Sequence, residues 1–384
     1  MFYIITRKQC YWEIKMLKQK YADVIEMFSR QILVRDVGVK GLKRLLESRV
    51  VILGCGATGS TIAELLVRAG VGFIRIVDRD IVELSNLPRT HLFTNRDVEE
   101  LRPKALACAD HLREYLGINK IEPVISNIDS SNIERLIKDV DLIIDGSDNY
   151  ELRYLINDAA IKHGKPWIYV GVEGWFGSVM FIKPYETACL RCIIPQPPPD
   201  VGDACDIIGV MNVTVSMTAS VAASIALKYL MGVKIDPEYI FVDARDLSIH
   251  KFKIVRNPNC PACGFRRLEF LNKDAEHVKR ICGSNSVQII PRERMVISLN
   301  KMISSKYINE EFKILRSSDY VAIIKHKDHD IIIFVDGRAI ITGLSDEKTA
   351  ENIYKRLIET LYLSGLIETK DQRRSLDTSD HSDI

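Results

Sequence analysis

Val50-Val51-Ile52-Leu53-Gly54-Cys55-Gly56-Ala57-Thr58-Gly59 is the stretch that decides how this chain folds. Four apolar, mostly β-branched residues read as a buried strand, and the glycines behind them open a helical stretch. Strand, glycine turn and helix together make a dinucleotide-type phosphate loop. Gly54, Gly56 and Gly59 let the backbone approach phosphate, and the helix N-terminus favours its negative charge. The next apolar run, Phe73 to Val77, ends at Asp78, about twenty residues on, where an acid holds ribose hydroxyls in such sites. On these residues alone a nicotinamide-dependent oxidoreductase and an ATP-using enzyme stand level.

Outward from this loop, strands and helices alternate. Strands are expected at 49–53, 73–78, 121–125, 140–145 and 166–171, and helices at 57–69, 103–116, 130–138 and 149–163. That alternation predicts an α/β fold of Rossmann type, a mostly parallel sheet with helices on both faces. A further strand is expected from Gly177 to Pro184. A buried, small-residue-rich helix follows from Ile207 to Met231, then an antiparallel pair, Ile240 to Ala244 and Ser248 to Val255. Pro195-Gln196-Pro197-Pro198-Pro199-Asp200 excludes regular structure, since proline lacks the backbone donor and fixes φ. After about residue 285 the pattern changes. Strands are expected around Met295–Leu299, Val321–His326, Ile331–Phe334 and Arg338–Thr342, with a turn at Asp336-Gly337 and a closing helix from Glu347 to Leu363. The expected organisation is therefore an N-terminal extension and helix (1–28, with Met16 a second candidate start), a large α/β domain (29–284) with a crossover loop at about 195–210, a small α+β module (285–369) and a polar, disordered tail (370–384).

The 384 residues suffice for one large core and a smaller module, and 47% hydrophobic with 27% charged residues is ordinary for a soluble globular protein. A net charge of +2 gives no argument for nucleic acid or a membrane surface. No continuous apolar run reaches the ~18 to 20 residues of a spanning helix, and no signal peptide opens the chain, so the cytoplasm is expected. Nine cysteines include the pairs Cys189-Leu190-Arg191-Cys192 and Cys260-Pro261-Ala262-Cys263. Four thiolates in two Cys-x-x-Cys knuckles are the donor set of a closed structural Zn²⁺ site, although the gap between the pairs exceeds that of a compact zinc ribbon.

Cations break the tie at the phosphate loop. Asn86-Leu87-Pro88-Arg89 and Arg102-Pro103-Lys104 set polar and positive groups after the second strand, and stabilising charge on a transferring phosphoryl group needs such cations. Asp148, in Asp145-Gly146-Ser147-Asp148-Asn149, follows a parallel strand, at whose carboxyl end such sheets bind ligands. Mg²⁺ typically takes one or two carboxylates plus phosphate oxygens, which Asp148 could supply. It also fits the N-cap of the helix that begins near Tyr150.

Arg30-Gln31-Ile32, the loop Gly54 to Gly59, Asp78, Asn86-Leu87-Pro88-Arg89, Pro103-Lys104 and Ser147-Asp148-Asn149 stand in the order seen in the E1-like activating enzymes, the superfamily of MoeB, ThiF and the ubiquitin-activating enzymes. The resemblance runs over roughly residues 20 to 265. It implies ATP-dependent adenylation of the C-terminal Gly-Gly carboxylate of a ubiquitin-like β-grasp protein, a modifier or a sulfur carrier. By motif position Asp78 would hold the ribose, Asn86, Arg89 and Lys104 the phosphates, and Asp148 Mg²⁺. Arg30 would reach the partner's nucleotide across a homodimer. Pro88 stands where many relatives have glutamine, which removes a side-chain contact there. The family's matching cysteine pairs strengthen the Zn²⁺ reading. Cys205, in Gly202-Asp203-Ala204-Cys205-Asp206, stands where the family carries a reactive cysteine on its crossover loop. A thioester or acyl-persulfide there, with hand-over to an E2-like or sulfur-transfer protein, is the implied second step. Asp203 and Asp206 work against it by raising the thiol pKa. A non-catalytic scaffold subunit is the third reading. Retention of every nucleotide-handling side chain weighs against it.

Overall fold

β1, Arg49–Leu53, lies inside an eight-stranded sheet, and Val50 to Leu53 are fully buried. The computed structural model describes residues 23–198, 209–273, 277–281, 285–291, 295–303, 305, 308 and 311–368. Residues 11–22 of the helix expected over 11–28, the loop 199–208 with Cys205, and the tail from 369 lie outside the described residues, as do Cys10 and Cys282.

The chain divides into two compact units. The larger comprises Met1–Asp80, Leu84–Thr94 and Lys104–Lys273. Its sheet joins β2 (Phe73–Asp78), β3 (Lys120–Ile125), β4 (Leu142–Asp145), β5 (Trp167–Glu173), β6 (Phe176–Ile182), β7 (Glu238–Asp243) and β8 (Ser248–Lys253) in the order β3-β2-β1-β4-β5-β6-β7-β8. β3 to β5 run parallel, and β6 to β8 add an antiparallel extension. The strand order reverses between β1 and β4, which is the switch point where such sheets open a ligand crevice at their carboxyl ends. The mixed α/β fold expected from the alternation is therefore present.

Helix Asn212–Met231 corrects one expectation. It is 20 residues long with a mean hydropathy of 1.4, long and apolar enough by length and composition to cross a membrane. Ser216, Thr218 and Ser220 interrupt its apolar run without making it polar. Here it is a packed helix of the larger unit. A Cβ on Gly177 of β6 would lie 1.8 Å from Thr218 Oγ1, so glycine is what lets strand and helix meet. Thr218 answers its own hydroxyl by donating to Thr214 O at 2.7 Å.

The smaller unit comprises Ile81–Glu83, Asn95–Pro103 and Asp274–Ile384. β9 (Val278–Ile281), β10 (Ser286–Ile289), β12 (Lys313–Ser317), β13 (Val321–His326), β14 (His329–Phe334) and β15 (Ala339–Thr342) form an antiparallel sheet, order β12-β13-β14-β15-β10-β9; β11 (Val296–Ile297) pairs with β16 (Ile367–Glu368). Of these, β9, β10, β12 and β16 were not expected from sequence. One face carries Ala322, Ile324, Ile331, Ile333 and Ile341 under Leu357 and Leu361 of helix Glu347–Leu363. Asp346 caps that helix, its carboxylate accepting from Thr349 N at 2.8 Å. The alternate residues Val321, Ile323, Ile332, Phe334 and Ile340 are apolar as well. They pack with Ile81 and Leu101, two residues far away in sequence. A sheet that is apolar on both faces has to be covered on both.

Candidate active site

The phosphate loop is shaped by glycines that touch backbone to backbone. Gly54, at φ +99°, follows β1, and its N–H donates to Val77 O at 2.8 Å. A Cβ on Gly59 would sit 2.0 Å from Gly54 O, and one on Gly146 would sit 2.3 Å from the same oxygen. Three glycines from the ends of β1 and β4 thus converge on one carbonyl. Gly146, which the sequence reading passed over, is as constrained as the two motif glycines. Gly56 differs, because a Cβ there meets open space. It precedes helix Ala57–Arg68, whose N-terminus no side chain caps. First-turn amides without a side-chain cap are an anion site in waiting.

Asp78 is 8% exposed and engages both oxygens: Oδ2 accepts from Cys55 N in the loop at 2.6 Å and Oδ1 from Asp80 N, just past β2, at 2.8 Å. Burial pushes its carboxyl above the ordinary range, with Lys104 pulling the other way. Asp80 is the more open acid, and it holds Lys104 Nζ at 3.4 Å. Lys104 also donates its backbone N–H to Asp80 O at 2.8 Å. Asp80 was missed in the sequence. Its signal was its position two residues after a strand-ending acid. Cys55, buried inside the loop, has its thiol pushed well up by burial and is no nucleophile.

Asn86 is buried and ends a single 3₁₀ turn, Leu84–Asn86; its carbonyl accepts from Arg89 N and Thr90 N, each at 3.1 Å. Arg89 is half-buried, its guanidinium donating to Ser85 O at 2.5 Å. His91 ties this segment down: Nε2 lies 2.9 Å from Ser216 Oγ and Nδ1 3.6 Å from Glu64 Oε2.

Asp148 does not cap the helix behind it. That role falls to Asn149, whose Oδ1 accepts from Leu152 N at 3.1 Å. Asp148 is exposed, and no hydrogen bond or ion pair engages its carboxylate among the described residues. The loop that carries it is held by a buried pair the sequence reading did not see. Arg153 Nε donates to Asp145 Oδ2 at 3.0 Å, and its Nη2 donates to Ser147 O at 2.8 Å and Val170 O at 3.0 Å. Asp145 Oδ1 accepts from Ser147 N and Oγ. Arg30 stands exposed on the short helix Ser29–Ile32, while its neighbour Gln31 donates to Ala69 O at 2.8 Å.

Elsewhere in the larger unit Cys189, Cys192, Cys260 and Cys263 bring their sulfurs within 4.8 Å of one another. Nearest separations are 3.5 Å (189–260 and 192–263) and 3.8 Å (189–192), and all four are free thiols. Gly264 makes the second knuckle possible, since a Cβ there would lie 2.2 Å from Pro258 O. Buried Arg191 fastens the two knuckles together, donating to Pro195 O at 3.1 Å, Arg267 O at 3.2 Å and Glu269 Oε2 at 3.0 Å. Such a cluster is a possible metal site.

A doubly wound sheet with an uncapped glycine loop after β1 and an exposed carboxylate after β4, the two strands that flank its switch point, fits a nucleotide-binding α/β protein of the E1-like, MoeB/ThiF class. The chain belongs to the ThiF family, whose profile matches residues 28–262. It is 34% identical over 338 residues to the sulfur carrier protein ThiS adenylyltransferase of Bacillus subtilis, covering 86% of this chain and 98% of that one. A sulfur carrier protein adenylyltransferase of Thermus thermophilus is 36% identical over 62% of this chain and 91% of its own length. Among solved structures, E. coli MccB shares the fold with a TM-score of 0.55 at 22% identity, over 62% of this chain and 75% of MccB.

Proposed function

We propose that this protein adenylates the C-terminal Gly-Gly carboxylate of a ubiquitin-like sulfur carrier. A carrier carboxylate oxygen attacks the α-phosphorus of ATP, the bond to the bridging oxygen breaks, and pyrophosphate leaves with the electron pair. The glycine loop and the first turn of helix Ala57–Arg68 receive the phosphates. Arg89 and Lys104 offset the charge that builds on them, and Asn86 shapes the turn from which Arg89 projects. Asp78, its lone pairs partly spent on the loop, and the more open Asp80 flank the ribose end. Mg²⁺ falls to Asp148, and this reading rests above all on the state of that residue. Asn149 caps the helix, so the fold makes no use of the Asp148 carboxylate. A nicotinamide enzyme has no use for it either.

Around this core we place the parts the resemblance implies. Arg30 acts in trans within a homodimer. Cys205, outside the described residues, is the acceptor for a thioester or persulfide step, with a sulfur-transfer protein downstream. The protein works in the cytoplasm. The four-cysteine cluster suits Zn²⁺: a tetrahedron with bonds of about 2.3 Å has edges of ~3.8 Å, close to the sulfur separations observed. Its role there is structural, since four protein thiolates leave no open position.

The test is ATP–pyrophosphate exchange with Mg-ATP and a ThiS-type carrier. Asp148→Ala should lose at least about a hundredfold in exchange while keeping the wild-type melting temperature. Exchange surviving in this variant removes the Mg²⁺ assignment. Cys205→Ala should keep exchange and lose any band that depends on non-reducing conditions.

A further inference from the structure

The two units are not joined at one point. The chain leaves the larger unit after Asp80, returns at Leu84, leaves again after Thr94 and returns at Lys104. Segment Leu84–Thr94, which bears Asn86 and Arg89, therefore has both ends rooted in the smaller unit. Lys104 is the first residue after the second root. Ile81 directly follows Asp80, the carboxylate that holds Lys104.

Both roots are fastened. Ile81 and Leu101 fill the second apolar face of the β13–β14–β15 sheet against Val321 and Phe334. They are tied to each other by Val82 N donating to Arg102 O at 2.8 Å and by an antiparallel bridge between Ile81 and Pro103. Leu101 sits at φ +53°, a left-handed conformation that costs a branched residue free energy and persists only where packing demands it. Arg316 of β12 donates to Val98 O at 3.1 Å and to Glu99 O, the last carbonyls of helix Asn95–Glu99, and Val98 O also accepts from Leu101 N at 3.3 Å. Hydrophobic face, strained leucine and arginine cap all secure the short stretches that flank the phosphate-handling residues.

We propose that Ile81, Leu101 and Arg316 are positioning residues for the ATP site, so that the C-terminal module sets the affinity for ATP rather than for the carrier protein. The proposal rests on the adenylation reading given above. It explains why β13 and β14 are apolar on both faces: one face builds the module's own core, the other takes Ile81 and Leu101 from the stretches that flank the nucleotide segment. Substrate-positioning groups act through geometry, where a displacement of about 1 Å can cost on the order of a hundredfold.

The experiment separates this proposal from the reading beneath it. Binding of ATP alone is measured by calorimetry in the full chain, and exchange is titrated separately in ATP and in a ThiS-type carrier. The variants are Leu101→Ala, Arg316→Ala, Phe334→Ala (far in sequence from every nucleotide residue) and the conservative Leu101→Met. Leu101→Ala and Phe334→Ala should raise Kd and KM for ATP on the order of tenfold or more, Arg316→Ala by less. The carrier KM should stay within about twofold, and Leu101→Met should restore most of the ATP affinity. Alanine variants that keep the wild-type melting profile and wild-type ATP affinity overturn the proposal, as does a carrier KM that moves in place of the ATP KM. If alanine at 101 prevents folding, Arg316→Ala, at an exposed bond, and Phe334→Ala carry the decision. Failure of the wild type to bind ATP at all overturns the adenylation reading instead.

Discussion

Helix Tyr150–His163 serves two regions built in opposite ways. Its first turns hold the exit of β4: Asn149 caps it, and Arg153 fixes Asp145 and Ser147 below Asp148. Its middle holds the cysteine knuckles: Asn157 Oδ1 accepts from Leu190 N at 3.0 Å and Asp158 Oδ2 from Phe270 N at 3.0 Å. The nucleotide region is shaped by glycine contacts, a buried ion pair and two amides on Asp78. The cysteine region gathers four sulfurs, a donor set that would repel itself once ionised and that a cation would hold together. One region is organised by packing, the other around a possible metal site.

The largest expected effect breaks the second region alone. Structural Zn²⁺ in small domains supplies an apparent ~10 to 16 kcal/mol at neutral pH. About one Zn²⁺ per chain should accompany the purified protein, and Cys260→Ser or a strong chelator should lower the melting temperature by more than any other change proposed for the larger unit. Metal analysis beside differential scanning calorimetry decides it. A chelated protein that melts where the untreated one does would make the cluster four thiols and nothing more.

The second effect breaks the first region. Arg153 is 6% exposed, and Asp145 is fully buried beside it. Burial pushes the Asp145 carboxyl up, and the Arg153 guanidinium pulls against that. Removing one member of a buried pair strands the other, a cost of about 3 to 5 kcal/mol. Arg153→Met should lose that much stability by urea titration and weaken ATP binding with it, yet retain its metal. If stability falls while ATP affinity is untouched, the pair supports the fold without preparing the site.

The two regions also differed in how they could be read. Spacing exposed the glycine loop, Asp78, the cations and both cysteine pairs, because each needs particular residue types at short intervals. Gly146, Asp80, Arg153, Arg191 and Gly264 were not read, although they hold those motif residues in place. Their roles depend on partners brought together by strand order, such as the approach of β4 to β1, and no local pattern records that. Cys260 and Cys189 lie 3.5 Å apart across a long sequence gap for the same reason. In the smaller unit the apolar β13 and β14 were legible, but their second face was not. Its cover, Ile81 and Leu101, comes from within the larger domain's sequence, so a boundary drawn near residue 285 could not anticipate it. The Asp148 cap was misassigned by a single position, since Asp and Asn serve equally at an N-cap and only the backbone tells which does.

The smallest effect probes the helix where it turns from one region to the other. Asp158 Oδ1 is buried with no hydrogen-bond partner among the described residues, and burial raises its carboxyl to about 6. A carboxyl whose folded pKa lies above its unfolded value binds a proton more tightly when folded. Its stabilising contribution is complete below the unfolded pKa near 4 and is lost as pH rises through about 6. A shift of this size is worth up to about 3 kcal/mol, so from this group alone the protein should gain stability as pH falls from 7 to 5. Asp158→Asn should flatten that slope in urea midpoints taken across the interval, because asparagine keeps an acceptor for Phe270 N and carries no charge. An equally steep slope in the variant would assign the pH dependence to other groups. It would mean that Asp158 titrates alike in the folded and unfolded chain, its burial offset by the Arg191 charge and the backbone amides it faces, much as Arg153 offsets the burial of Asp145.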